Sequence, residues 1–224
     1  MSEYRLLDPA VWKRYGHFRP FWDHAPCSVS LCDDIDVTAL RDACRKTNTS
    51  FYIAFLYTVG YVVNSREEFR LTAVDSPAFE YMMPAVWDRV DVCHNVFHED
   101  DETYTGTFTV WERDFGIFYR NCEEDIARAK NLRIVSVPAP DNVFEASCIP
   151  WRHFTSVSVV MEPVQLSPMI AWGKFTESDG KVLMPLSIQI HHAAADGFHL
   201  SRFLNETEKF SSVLASMLNG REMI

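Results

Sequence analysis

The residues best able to do chemistry gather in "QIHHAAADGFHLSRF" (189–203), where three histidines and an aspartate surround three alanines and a glycine. Imidazoles and a carboxylate at this spacing could ligate a metal, assist a nucleophile, or provide a lone base. Metal is the poorest fit. His191 and His192 are adjacent on an expected strand, so their side chains leave opposite faces, and no helical His-x-x-x-His pair is present. No metal is expected. Spacing leaves two readings open. In one, Asp196 caps a helix, Gly197 eases the strand-to-helix corner, and His192 is an ordinary core histidine. In the other, His192 ends an apolar strand face beside a polar corner. Partial desolvation there keeps the imidazole neutral, able to take a proton from a hydroxyl or thiol.

A strand must present these groups. "KVLMPLSIQIHH" (181–192) alternates, with Leu186, Ile188, Ile190 and His192 on one face and Ser187, Gln189 and His191 on the other. "FTSVSVVME" (154–162) and "PMIAWGKF" (168–175) also read as strands. "IDVTALRDACRKT" (35–47) predicts a strand end and then a helix capped by Asp36. "SFYIAFLYTVGYVVNS" (50–65) predicts a buried helix with Phe51, Phe55, Leu56, Val59 and Val62 near one side. Past Arg113 an amphipathic helix turns Phe115, Phe118, Cys122 and Ile126 inward, and 198–218 returns to helical periodicity. "RIVSVPAPDNVFEASCIPW" (133–151) is the longest loop expected, broken by Pro138, Pro140 and Pro150. Helices mixed irregularly with strands predict an α+β fold, a two-layer sandwich of one mixed β-sheet with packed helices. The 224 residues, 47% of them hydrophobic, suit a single domain over 1–224 with a substantial core.

Sixteen phenylalanines and six tryptophans exceed what core filling requires, so some rings are expected in a pocket. A net charge of −10 argues against a nucleic-acid surface and against anionic membranes, while leaving room for a small anionic cofactor held by local lysines. None of the six cysteines forms C-x-x-C, and no apolar signal core or membrane-length run occurs. A soluble cytoplasmic protein with reduced thiols is expected.

"PLSIQIHHAAADGFHLSRFLN" (185–205) resembles the signature of the chloramphenicol acetyltransferase family. "VWKRYGHF" (11–18), "FYIAFLY" (51–57), "EEFRL" (67–71), "VFHEDDETYT" (96–105) and "SCIPW" (147–151) resemble family segments in the same order. The resemblance implies a CoA-dependent acyltransferase fold and a homotrimer with active sites at subunit interfaces. It also implies acetyl transfer from acetyl-CoA to a hydroxyl of chloramphenicol, directly and in a ternary complex. His192 matches the general base. Ser147 matches the serine that hydrogen-bonds the oxyanion and borders the cofactor. Asp196 and Arg14 match a supporting ion pair. Lys174 and Tyr52 match cofactor contacts, while Ser50 stands where a second phosphate-facing lysine is usual. The acceptor pocket maps to Phe21, Ala25, Cys27, Tyr104 and Ala171. Of these, Phe21, Tyr104 and Ala171 depart from the family's tyrosine, phenylalanine and threonine, and Phe175 replaces another tyrosine. Acetyl transfer is thereby better supported than chloramphenicol as the acceptor, and another hydroxylated small molecule or a non-catalytic ligand-binding relative are the alternatives.

Other candidates are weaker. Cys148 as nucleophile would have to face the same side as its neighbour Ser147 in extended chain. A Ser147–His192–Asp196 hydrolase triad lacks the GxSxG elbow. His17, His24, His94, His98 and His153 are expected in loops or interfaces. "HEDDE" (98–102) is expected as a solvated turn, and Trp22, Trp111 and Trp172 as core or pocket walls.

Overall fold

The elements are β1 (Tyr4–Leu6), α1 (Tyr15–Arg19), a wide π turn (Pro20–His24), β2 (Ser28–Asp36), α2 (Thr38–Thr47), α3 (Phe51–Asn64), a 3₁₀ turn (Glu67–Phe69), β3 (Leu71–Val74), β4 (Met83–Trp87), β5 (Asp91–His98), β6 (Thr103–Thr109), α4 (Phe115–Lys130), β7 (Val143–Ile149), β8 (Met169–Gly173), β9 (Thr176–Ser178), β10 (Lys181–His191) and α5 (Gly197–Leu218). This computed structural model describes residues 3–75, 82–160 and 165–220. Polar side chains start α3 and α4. Asp114 Oδ1 accepts from Ile117 N–H at 2.8 Å and Ser50 Oγ from Ile53 N–H at 3.4 Å, whereas the capping residue of α2 is Val37, not the expected Asp36, which lies one residue earlier and accepts from Thr38 N–H at 3.0 Å. Asn48 ends α2 at φ 54°.

One sheet of seven strands has the order β2-β10-β8-β7-β5-β6, with β9 pairing β10, and a second sheet has the order β1-β4-β3. β7 runs parallel to both β5 and β8, and the remaining pairs are antiparallel, so the large sheet is mixed. Helices α2 to α5 pack on one face of it. That face buries Leu186, Ile188 and Ile190 of β10 with Ile170, Trp172, Phe144, Ala146 and Val92. Each buried aliphatic or aromatic side chain contributes about 1.5–3 kcal/mol, which pins the register of the alternating strands. The expected α+β sandwich is the architecture found.

Several expectations are revised. Residues 154–160 are irregular, and 161–162 lie outside the described residues. The run alternates like a strand, but among the described residues no strand pairs with it. The Gln189 side chain takes both backbone groups of Val159 instead, accepting from its N–H at 3.1 Å and donating to its carbonyl at 2.6 Å. The proline-rich 133–151 stretch contains β7, because only 133–142 stays irregular before the chain enters the middle of the sheet. His94 and His98 lie buried in β5, not in loops. β10 ends at His191, so His192 belongs to the turn that follows and not to the strand's apolar face. The 99–102 segment is the expected turn, with Arg133 reaching Asp100 at 2.8 Å. Trp172 and Trp111 are buried in the core.

Gly173 ends β8 against the crossing chain. A Cβ there would lie 2.8 Å from the Arg152 carbonyl, the Phe154 ring and the Pro185 ring alike. Gly173→Ala is therefore expected to destabilise the fold by about 1–3 kcal/mol, read as a lowered urea midpoint with unchanged slope.

Candidate active site

The corner between β10 and α5 carries the histidine cluster. His192 N–H donates to the Cys27 carbonyl at 2.8 Å, continuing the β10–β2 pairing by one residue. The chain then turns tightly, with Ala194 N–H donating to the His191 carbonyl at 2.9 Å. Ala193, Ala194 and Ala195 are fully buried, which explains their small side chains. The turn brings the Ala195 carbonyl 3.0 Å from His192 Nδ1. A carbonyl only accepts, so Nδ1 carries the proton and the lone pair is on Nε2. The Phe21 ring, carried on the π turn, packs on this imidazole with centroids 3.9 Å apart.

Arg14 fixes the corner. Its Nη1 donates to Asp196 Oδ2 at 2.9 Å, its Nη2 to the His192 carbonyl at 3.2 Å and its Nε to the Ala193 carbonyl at 3.2 Å. Asp196 also accepts from Phe198 N–H at 3.1 Å, and its Oδ1 lies 2.8 Å from His199 Nδ1, closing a capping box on α5. Partial burial pushes the Asp196 carboxyl upward, but hydrogen bonds and charge from Arg14 and His199 outweigh it and hold the group at about 2. Asp196 is thus a structural anion turned to Arg14 and His199, and His192 Nδ1 goes to a backbone carbonyl. The hydrolase triad is not formed. His199 completes the site in a way that spacing signalled only as Asp-x-x-His.

Ser147 lies elsewhere. It pairs with Ala171 of β8, and Ala171 pairs with Ser187 of β10, so these residues form one row on the sheet face away from the helices. His192 stands two strands over and five residues farther along β10, roughly 19 Å from Ser147 by strand spacing and rise. The pocket residues divide likewise. Phe21, Ala25 and Cys27 stay with His192, where Ala25 and Cys27 are exposed. Tyr104, 53% exposed, shares the Ser147 face. Ala171 shares it too but is buried, beside residues 157–159. Cys148 points to the opposite, core side, and burial pushes its thiol up to about 12. It is no nucleophile.

The model of the chloramphenicol acetyltransferase family matches residues 2–208. The chain belongs to that family. A chloramphenicol acetyltransferase of Proteus mirabilis is 33% identical over 208 residues, covering 92% of this chain and 93% of that one. Another, of Vibrio anguillarum, is 34% identical over 224 residues, covering 97% of each. A solved chloramphenicol acetyltransferase superposes with TM-score 0.77 at 22% identity, covering 93% of this chain and 99% of the other. A probable dihydrolipoamide acetyltransferase of Listeria monocytogenes shares the fold, with TM-score 0.61 at 10% identity and 94% of each chain covered. The chain is an acyltransferase of this family, whose donor is acetyl-CoA.

The residues expected on the cofactor side, Ser50, Tyr52 and Lys174, lie at a third place, where the start of α3 meets the end of β8. The Tyr52 ring lies 5.8 Å from Trp172, and Phe51 meets Phe175 edge-on at 4.9 Å. Lys174, between Trp172 and Phe175, is exposed and suits a phosphate. Ser50 caps α3 and donates nothing outward through its N–H, which goes to the Tyr119 hydroxyl at 3.0 Å. The Tyr52 hydroxyl points inward, 3.1 Å from His94 Nδ1, so its ring and not its hydroxyl is left for a ligand. Glu145 was not foreseen. It lies two residues before Ser147 on the same face, half-buried, with Cys93 as hydrogen-bond partner and no cation among the described residues. Burial raises its pKa.

Arg14→Met leaves two turn carbonyls and a carboxylate without their donor. A loss of about 2–4 kcal/mol is expected by urea unfolding, held to the lower end because Asp196 is 37% exposed. The depressed Asp196 pKa adds stability that is complete above about pH 4, the ordinary carboxylate range, and lost as pH falls through about 2. Asp196→Asn should therefore flatten the acid limb of stability between those values, measured by urea unfolding at each pH.

Proposed function

We propose that this chain, as a single domain over 1–224, is a cytoplasmic acetyl-CoA-dependent O-acetyltransferase that acts as a homotrimer on a hydroxyl of chloramphenicol. The observation that carries the reading is the His192 imidazole with Nδ1 engaged by Ala195 and the Nε2 lone pair free at the tip of the sheet. Nε2 takes the hydroxyl proton as the acceptor oxygen attacks the thioester carbonyl. Ser147 of the partner subunit donates to the resulting oxyanion. Collapse expels the CoA sulfur, which takes the proton from the imidazolium, leaving the acetyl ester and free CoA. Neither Cys148 nor Asp196 takes part. Lys174 meets a CoA phosphate, and Tyr52 borders the cofactor.

The separation of Ser147 from His192 supports sites built between chains, since roughly 19 Å is too far for both to touch one reacting carbon. His192→Ala should lower kcat about 10³-fold, and Ser147→Ala about a hundredfold, in assays of thiol release from acetyl-CoA with chloramphenicol. Refolding the two variants together at equal amounts should restore about a quarter of wild-type activity, because random assortment gives that share of intact His–Ser pairings in a ring. No recovery would place both residues in one chain's site.

A second reading keeps the chemistry and changes the acceptor. It is favoured by the Glu145 carboxylate, whose cation is missing among the described residues, and by the exposed Tyr104 hydroxyl on the Ser147 face. An acceptor bearing an amine or N–H donor near its reactive hydroxyl would meet Glu145. Thiol release with such alcohols and none with chloramphenicol would select this reading.

A further inference from the structure

A buried relay of polar side chains runs behind the cofactor-side corner, and the acyl-transfer chemistry does not use it. It starts at Tyr52 on α3. The Tyr52 hydroxyl lies 3.1 Å from His94 Nδ1 on β5, His94 Nε2 lies 3.1 Å from Thr109 Oγ1 on β6, and Thr109 Oγ1 donates to Asp125 Oδ2 at 2.9 Å on α4. His94 is 1% exposed, and burial lowers its pKa to about 4, so the ring is neutral. A neutral imidazole has one donor and one acceptor, and the question is which nitrogen faces Tyr52 as acceptor.

The far end answers it. Burial raises the Asp125 pKa despite Thr109 and Arg128, and the ion pair with Arg128, whose Nη2 lies 3.1 Å from Oδ1, keeps the carboxylate as an anion. As an anion, Asp125 only accepts. Thr109 must then donate to it and accept from His94 Nε2–H, which leaves the Nδ1 lone pair facing Tyr52. The Tyr52 hydroxyl therefore donates inward. The Asn95 carbonyl, 3.3 Å from the same hydroxyl, is the longer alternative. Choosing it would reverse every bond and require a protonated Asp125. Cys122 Sγ is 4.0 Å from Nε2, too far to replace Thr109.

We infer that His94 is a positioning residue for acetyl-CoA binding: the His94–Thr109–Asp125 relay locks the Tyr52 ring in the orientation that borders the cofactor. This rests on the proposed use of Tyr52 and Lys174 at that corner. A relay spanning three elements fixes the ring where packing alone would leave its hydroxyl end buried and unsatisfied.

The test compares His94→Leu, which removes the acceptor, with His94→Asn, whose amide oxygen can replace Nδ1. Expected is a rise of about 3–10-fold in KM for acetyl-CoA with His94→Leu, exceeding the change in kcat and in the acceptor KM, and recovery with His94→Asn. An unchanged acetyl-CoA KM in His94→Leu, while Lys174→Ala and Tyr52→Ala raise it, would overturn the relay alone. If those two also leave it unchanged, the corner is not the cofactor site and the underlying reading fails. Should His94→Leu not fold, long-range ¹H–¹⁵N spectra of histidine-labelled wild type decide instead. The neutral Nε2–H tautomer of His94 at pH 7 supports the relay, and the Nδ1–H tautomer overturns it.

Discussion

One guanidinium holds the site's geometry together. Arg14 occupies the position just before α1, and its carbonyl accepts from Phe18 N–H at 2.9 Å, starting the helix that leads to Phe21. Its side chain meanwhile binds the turn after β10 at two carbonyls and the carboxylate that starts α5. Phe21 lies on the imidazole because the same residue sets both the wall and the corner. An arginine suits this place better than a lysine, since its planar fork supplies donors in three directions while staying charged. The imidazole needs no carboxylate to set its tautomer, because the three small residues after it let the backbone fold back to do so.

The large sheet has two unlike faces. Its helix side is a packed, mainly apolar core threaded by the His94 relay, and its other side presents serine, alanine, glutamate and tyrosine. That second face is crossed by an irregular segment tied to Gln189, and it holds Ser147 far from His192. The same division disposes of the cysteine alternative. Cys148 alternates with Ser147 and so belongs to the core, where desolvation suppresses its thiolate.

Much of this was legible in the residues. The alternation of β10, the helices α3, α4 and α5, the Asp196 start of α5 and the Arg14–Asp196 pair all follow from local pattern or from the ordered family segments. Where the reading failed, a tertiary partner decided. Residues 154–160 alternate like a strand but meet a glutamine side chain instead of a neighbouring strand. β7 is hidden behind prolines because a central parallel strand shows little periodicity of its own. His94 looked like a loop histidine because its hydrogen-bonding partners, Thr109 and Tyr52, lie 15 and 42 residues away in sequence. Glu145 escaped notice for a similar reason: nothing in its neighbours' identity reveals which sheet face it occupies.

The distance between the base and the serine has a consequence for mixed populations. In the proposed ring, each polypeptide contributes its imidazole to one reaction centre and its hydroxyl to another. A copy crippled at both residues would spoil two centres in a ring of three while removing only a third of the protein. In the proposed assembly, such an allele would behave as dominant over a functional one.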